Sequence, residues 1–383
     1  MAPPTLNAKL ETRNSLTTDN LRIVIAAGGT GGHLFPGIAV AREFQSRPGA
    51  RVTFLTTPKS VTPQILERYG FAWEAVAAEA LKGRGLLGRL QALLKVPGSI
   101  RQARARLLDH RPHLVLGMGG YASGPVGVAA WRLGIPLALH EQNAIPGTAN
   151  AWLARMARRV FVSFPETCSY LPPDKVVWTG NPIREEFFRI KTPRPERPFT
   201  VLVTGGSQGA HHLNMETLKA LPRLEDIKEQ VHFLHLTGDA DYAEVEAGYR
   251  EKGWTAEVAA FTGEMPEWMG RAHLVVSRAG ASTLAELAAV GRAAILIPYP
   301  FAANNHQEHN ARFLAEAGAG EIILNKDFTG ALLAGRIREL MSQPGKREAM
   351  ETAARNLAKP DAAKEIVEGC LGLIENHAKT QEP

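Results

Sequence analysis

One unit occurs twice in this chain and limits what it can fold into. "LRIVIAAGGTGGHLFPGIAVAREF" (21–44) and "FTVLVTGGSQGAHHLNMETL" (199–218) each read as an apolar strand, a glycine turn and a helix, with Gly28 and Gly205 lying 177 residues apart. Strand-type and helix-type runs alternate along most of the chain, which predicts parallel sheets with crossover helices. The runs "RVTFLTT", "HLVLGMG", "PLALHE" and "RVFVSF" continue the first half; "HFLHLTG", "AEVAAF", "LVVSR" and "AAILIPY" continue the second. The expected fold class is α/β, with two Rossmann-like halves whose loops face one cleft at the carboxyl ends of the strands.

Length agrees with two units, since 383 residues is long for a single hydrophobic core. The expected organisation is a polar arm at 1–20, a first domain at 21–179, a second at 180–359, and a helical tail at 360–383 whose sequence leaves open which half it covers. The proline-rich "TPRPERP" near the change of domain reads as a connection. The arm lacks the apolar block of a signal peptide, and no apolar run is long enough to span a bilayer. Cys168 and Cys370 sit in no metal-type or redox-type spacing and read as reduced core thiols, the usage of a cytoplasmic protein. The net charge of +6 favours acidic partners without choosing among nucleic acid, anionic lipid and phosphorylated substrates.

The first glycine loop is neither of the two common nucleotide motifs. A dinucleotide fingerprint needs a glycine where Leu34 stands, a P-loop needs a Lys-Ser or Lys-Thr pair, and "RVTFLTTP" ends without the acid that would hold an NAD ribose. Three glycine loops remain as phosphate cradles: "GGTGGH" (28–33), "GMGGYASGP" (117–125) and "GGSQGA" (205–210). Backbone N–H groups can converge on an anion there, aided by the following helix ends, although each loop could also be a tight turn without a ligand. Two such loops in equivalent places imply two phosphate-bearing partners, one per half.

Particular side chains stand beside these loops. His33 lies in the first turn of its helix, where the helix dipole favours a neutral imidazole able to accept a proton; a capping or packing role is the alternative. His140, Glu141, Gln142 and Asn143 follow one another at a strand end and would line a cleft. Glu286, in the helix after "LVVSRAGAST", could grip both hydroxyls of a ribose or lie solvated on the surface. Asn304, Asn305, His306, Gln307 and Asn310 gather amides and an imidazole suited to sugar hydroxyls.

Seven segments in order, "GGTGGHLFPGIAVA", "GMGGYASGP", "HEQNAIPG", "GNPIR", "GGSQGA", "SRAGASTLAEL" and "NHQEHNA", resemble the motifs of the MurG family of glycosyltransferases. The resemblance implies a GT-B architecture and an inverting transfer of N-acetylglucosamine from UDP-N-acetylglucosamine to lipid I, the undecaprenyl-pyrophosphoryl-muramyl pentapeptide, giving lipid II for peptidoglycan. It implies no cofactor and no obligatory metal. For the donor it implies that Ser207, Gln208 and Arg184 meet the diphosphate, that Glu286 holds the ribose and that the backbone at Phe261 and Thr262 reads uracil. His306 and Gln307 would contact the sugar, with Asn143 reaching across the cleft and Thr30, Gly31 and Gly32 bordering the donor. For the acceptor it implies Gly28, Gly29, Thr30, Gly31, Gly32, Gly119, Gly120, Tyr121, His140, Glu141 and Asn143, with His33 near the attacking muramyl hydroxyl. One departure is visible: "FTGEM" stands where the family commonly has "FIDDM", so Thr262 and Gly263 replace a more usual pair.

A lipid acceptor requires a membrane face. In 81–111, Leu86, Leu87, Leu90, Leu93 and Leu94 share a helical face amid eight basic residues, Arg89 among them, against the single acid Asp109. That pattern fits a helix on an anionic surface, though a helix covering its own sheet carries a similar stripe. Trp131 could add an interfacial contact or belong to the core. The expected location is peripheral, on the cytoplasmic face of the inner membrane. Other readings are a GT-B transferase with a different lipid acceptor, a UDP-N-acetylglucosamine epimerase, and a nucleic-acid binder. The last lacks any aromatic stacking surface or reader motif to accompany its charge, so no nucleic-acid partner is expected.

Overall fold

The computed structural model describes residues 20–28, 31–57, 62–78, 86–190, 194–206 and 208–380, with 86–93 described by their backbone alone. Two parallel sheets form its two lobes. The first runs β3-β2-β1-β4-β5-β6-β7, from β1 Arg22–Ala26, β2 Arg51–Thr56, β3 Ala72–Ala75, β4 Leu114–Gly117, β5 Leu137–Glu141, β6 Arg159–Val162 and β7 Val176–Trp178. The second runs β10-β9-β8-β11-β12-β13, from β8 Phe199–Thr204, β9 Val231–Leu236, β10 Ala256–Ala259, β11 Leu274–Ser277, β12 Ala293–Leu296 and β13 Gly320–Ile322.

Both lobes start in the middle of their sheet. β1 lies between β2 and β4, and β8 between β9 and β11, so the strand order reverses at each first strand. A crevice opens at such a reversal beyond the carboxyl ends of the strands, and both glycine turns leave from there. The central strands are mostly apolar, and β4, β8 and β11 are buried along their whole length and β1 from Ile23 onward, because helices cover both faces.

On one face of the first sheet, helices Leu86–His110, Ser123–Arg132 and Thr148–Leu153 bury Ala103, Leu107, Val126 and Leu153. On the other face, helix Gly31–Gln45 packs beside the C-terminal helix Ala362–Lys379, which inserts Ile366, Val367, Cys370 and Ile374 into the first lobe's core. The tail therefore belongs to the first lobe. Burial pushes the Cys370 thiol up, and both cysteines are free thiols.

The chain passes between the lobes twice, and the two passages touch. A Cβ on Gly180 would sit 2.6 Å from the Lys359 side chain, whose Nζ lies 3.9 Å from the centroid of the Trp178 ring. Gly180 has a φ of 86°, a conformation that glycine adopts without strain.

A candidate active site between the lobes

A cleft of about 1150 Å³ separates the lobes at the carboxyl ends of both sheets. The first lobe contributes Gly31, Gly32, His33, Tyr121, Gln142 and Asn143 to its wall. The second contributes Gln208, Phe261, Thr262, Glu286, His306 and Gln307, and Arg184 enters from the connection. Gly29, Thr30 and Ser207, expected here from sequence, lie outside the described residues.

Two helix N-termini open onto the cleft from the second lobe. One begins helix His211–Ala220 after the loop at 205–210; the other begins helix Ala281–Val290, whose Gly280, Ala281, Ser282 and Thr283 all line the wall. Unpaired first-turn N–H groups and the positive dipole ends suit a diphosphate. Glycine is required in the loop by close approach: a Cβ on Gly209 would stand 2.1 Å from the Thr237 carbonyl oxygen.

Arg184 and Glu286 share this wall. The guanidinium lies over the Phe35 and Phe187 rings, 5.2 and 5.0 Å from their centroids, and donates to the Tyr69 hydroxyl at 3.3 Å. These contacts hold a cation in place while its Nε has no hydrogen-bond partner. Burial raises the Glu286 carboxyl to about 7, opposed in part by Arg184.

Gln307 and His306 are oriented by backbone. Gln307 Oε1 accepts from the N–H of Ala279 (3.2 Å) and of Tyr299 (2.9 Å), which leaves its Nε2 as the donor. His306 Nδ1 donates to the Ala303 carbonyl at 2.7 Å, which fixes the ring orientation. Asn304 and Asn305 precede them with φ of 55° and 53°, a left-handed pair that asparagine tolerates. Thr262 accepts from the Glu264 N–H at 3.0 Å, holding the turn beside exposed Phe261.

Across the cleft, His33 is held at about 4 by burial first and by the nearby His306 second, so the ring is neutral at pH 7. The neutral form expected from sequence is present, but desolvation rather than the helix dipole is its main cause. Gly119 makes room for the ring, since a Cβ there would lie 2.9 Å from His33 Cδ2.

Several first-lobe expectations need correction. His140 and Glu141 are buried and do not line the cleft. Gln142 Nε2 donates to His140 Nδ1 at 3.0 Å, so His140 donates from Nε2 to the Gly180 carbonyl at 3.2 Å, bracing the connection between lobes. Glu141 accepts from the backbone of Asn143 and Gly147 and from Asn150, organising its loop. Gly28, Gly119 and Gly120 stand behind the wall and serve close packing; a Cβ on Gly120 would lie 2.0 Å from the Gly28 carbonyl oxygen. Asn143 lines the cleft, and its Oδ1 accepts from Asn310 Nδ2 of the second lobe at 3.2 Å. Asn310, fully buried, also takes the Ala144 N–H at 2.8 Å and donates to the Ala279 carbonyl at 3.2 Å.

Sequence reasoning missed other wall residues. Arg68 and Tyr69 reach in from helix Thr62–Arg68 and the turn after it, Ser282 faces the Gly32 carbonyl across the cleft, and His211 lines the wall beside the second glycine loop. Only Ser282 lay inside a recognised motif. The proposed membrane stripe is described only at Leu94, which is 73% exposed; the side chains of Leu86, Leu87, Arg89 and Leu90 lie outside the described set. Trp131 is 53% exposed rather than core, and Trp152, which the sequence did not single out, is 54% exposed.

Comparison with known proteins agrees with this architecture. Residues 23–162 match the glycosyltransferase family 28 N-terminal domain, and residues 200–366 match the family's C-terminal domain. A protein of Anaeromyxobacter dehalogenans (strain 2CP-C), named UDP-N-acetylglucosamine--N-acetylmuramyl-(pentapeptide) pyrophosphoryl-undecaprenol N-acetylglucosamine transferase, is 44% identical, over 92% of this chain and 93% of its own. A protein of the same name from Myxococcus xanthus (strain DK1622) is 43% identical, over 92% and 93%. The crystal structure of Acinetobacter baumannii MurG superposes with a TM-score of 0.73 at 31% identity, over 92% of this chain and 99% of that one. A UDP-N-acetylglucosamine 2-epimerase shares the fold, with a TM-score of 0.66 at 15% identity, over 95% and 99%. The chain belongs to the MurG family of N-acetylglucosamine transferases, within glycosyltransferase family 28.

Proposed function

We propose that the protein transfers N-acetylglucosamine, with inversion, from UDP-N-acetylglucosamine to the muramyl hydroxyl of a pyrophosphoryl-undecaprenol-linked N-acetylmuramyl pentapeptide. The observation that carries this reading is one cleft with two unlike walls. Glu286, Arg184 and two helix N-termini lie on one side, and a neutral histidine on the other. In the donor half, ionised Glu286 accepts the two ribose hydroxyls, and the backbone at Phe261 and Thr262 reads uracil. Gln208, Ser207, Arg184 and the helix ends hold the diphosphate, while His306 and Gln307 hold the sugar. The acceptor diphosphate rests on the loop that precedes His33.

The chemistry needs a proton removed on one side and charge absorbed on the other. The hydroxyl oxygen bonds to the anomeric carbon, the bond from that carbon to the phosphoryl oxygen breaks with its electron pair, and the hydroxyl proton passes to His33. Burial makes the His33 imidazolium costly, and two diphosphates brought beside it offset that cost. The leaving UDP is met by Arg184 and the helix N–H groups. This scheme assigns no step to a metal ion, so turnover should persist in a chelator.

The acceptor's lipid tail places the first lobe on a membrane. Leu94, Trp131 and Trp152 are exposed on three helices that cover the same sheet face, and the basic residues of helix Leu86–His110 suit an anionic surface. No helix among the described residues is long and apolar enough to cross a bilayer, and the reading is peripheral attachment at the cytoplasmic face of the inner membrane.

The test mixes purified protein, labelled UDP-N-acetylglucosamine and a lipid I analogue. A β-linked disaccharide-lipid is the expected product. Epimerised sugar formed from the donor alone would overturn the reading. His33→Ala is expected to lose turnover while keeping donor affinity; near-normal turnover would reduce His33 to a binding residue.

A further inference from the structure

His211 heads helix His211–Ala220, immediately after the second glycine loop, and lines the cleft. Its side chain is 69% exposed, yet it is anchored: Nδ1 lies 2.9 Å from Oδ1 of Asp241, whose side chain is 12% exposed. Behind Asp241 runs a buried polar chain. Asn214 Nδ2 donates to Asp241 Oδ2 at 2.7 Å and to the Thr237 carbonyl at 2.9 Å. His235 Nε2 lies 3.1 Å from Asn214 Oδ1, and the Tyr249 hydroxyl 3.1 Å from His235 Nδ1.

Chemistry fixes the direction of every link. The Asn214 amide oxygen only accepts, so His235 carries its proton on Nε2 and receives the Tyr249 O–H on Nδ1. Burial holds His235 at about 3, so it stays neutral. A carboxylate only accepts, so His211 gives its Nδ1–H to Asp241. The chain thus ends in the cleft at His211 Nε2. Asn214 and His235 are fully buried and Tyr249 nearly so, and polar groups at such depth are tolerated only when each is partnered. What this network holds in place is the strand end against which Gly209 packs, together with one solvent-facing imidazole.

We propose that protonated His211 donates Nε2–H to the donor diphosphate and stabilises it as the leaving group, with Asp241 as the positioning residue. The inference rests on the assignment of the donor to the second lobe. The proton stays on His211; the breaking bond's electron pair goes to the phosphoryl oxygen. Two acids face the ring, Asp241 ahead of helix Tyr242–Glu251 and Glu244 within it; a carboxylate oxygen of each and an imidazole nitrogen lie within 4.8 Å of one another. His212, next along, also borders the cleft, but its Nε2 is engaged with the Phe328 carbonyl at 3.1 Å.

The experiment measures binding of uridine and of UDP-N-acetylglucosamine to the whole protein and to His211→Ala, His211→Gln and Asp241→Ala. His211→Ala should bind the UDP-sugar about tenfold more weakly than the parent, with uridine affinity unchanged. His211→Gln, a neutral donor of similar reach, should fall between them. Asp241→Ala should reproduce the loss, with little added by the double variant. Equal weakening toward uridine, or full UDP-sugar affinity in His211→Ala, would overturn the proposal. So would a fall of the parent to the His211→Ala level in chelator alone, which would assign the contact to a cation. A parent that binds neither ligand would overturn the donor assignment instead.

Discussion

Glu286 allows a quantitative test of how the cleft takes its donor. Its carboxyl is raised from 4.5 to about 7, chiefly by burial. That corresponds to about 3 kcal/mol against the ionised form. Two ribose hydroxyls donating to a carboxylate supply a comparable amount, so uridine should bind the ionised form and drive a proton off. The sign follows: affinity falls as pH falls through 7. For a ligand that binds only the ionised form, affinity rises about tenfold from pH 6 to pH 8. Uridine is the right probe because it carries the ribose without phosphates, so the His211 contact does not enter. Calorimetry should show this slope for the parent and a flat, weaker profile for Glu286→Gln. The same raised carboxyl lowers stability as pH rises through 7, so Glu286→Gln should unfold at a temperature a few degrees above the parent's at pH 8 and at a similar temperature at pH 5. A flat uridine profile in the parent, or a slope that survives in Glu286→Gln, would refute the reasoning.

Other outcomes follow from single contacts. Gly119→Ala places a methyl 2.9 Å from His33 Cδ2 at a φ of 87°; turnover should fall at least about tenfold with donor affinity kept, checked by steady-state kinetics. Asn310→Ala removes the buried bridge to Ala144 and Asn143 and should cost about 1–3 kcal/mol in urea unfolding. Replacing Leu94, Trp131 and Trp152 together by serine should abolish salt-sensitive binding to anionic vesicles in flotation while leaving turnover on a short-chain, water-soluble acceptor intact.

The strands visible in the sequence are those with apolar runs, and the three that escaped, β3, β7 and β13, are all edge strands. They are three or four residues long and only partly buried; "AWEA" and "GEI" are broken by a glutamate, and "VVW" is too short to stand out as a strand. The second-lobe site was more legible than the first because its contacts come from motif residues such as Glu286 and Gln307. In the first lobe, the run His140 to Asn143 looked uniformly ligand-facing. Both faces of β5 are covered, however, so His140 and Glu141 are buried although they point to opposite sides, and each braces backbone. His211 was invisible for a different reason: its anchor, Asp241, sits 30 residues away across a strand, and no local spacing records that partnership.

The position of helix Ala362–Lys379 also bears on how the molecule is made. Its apolar residues complete a core begun by Ile23, Ile38 and Phe161, more than 200 residues earlier in the chain. During synthesis the lobe that leaves the ribosome first must wait for the final turns of polypeptide before its outer face is sealed, whereas the lobe made second has every strand it needs before that helix emerges. The earlier-made half is therefore the later to mature, and a stop codon near residue 360 would damage the first lobe while sparing every strand of the second.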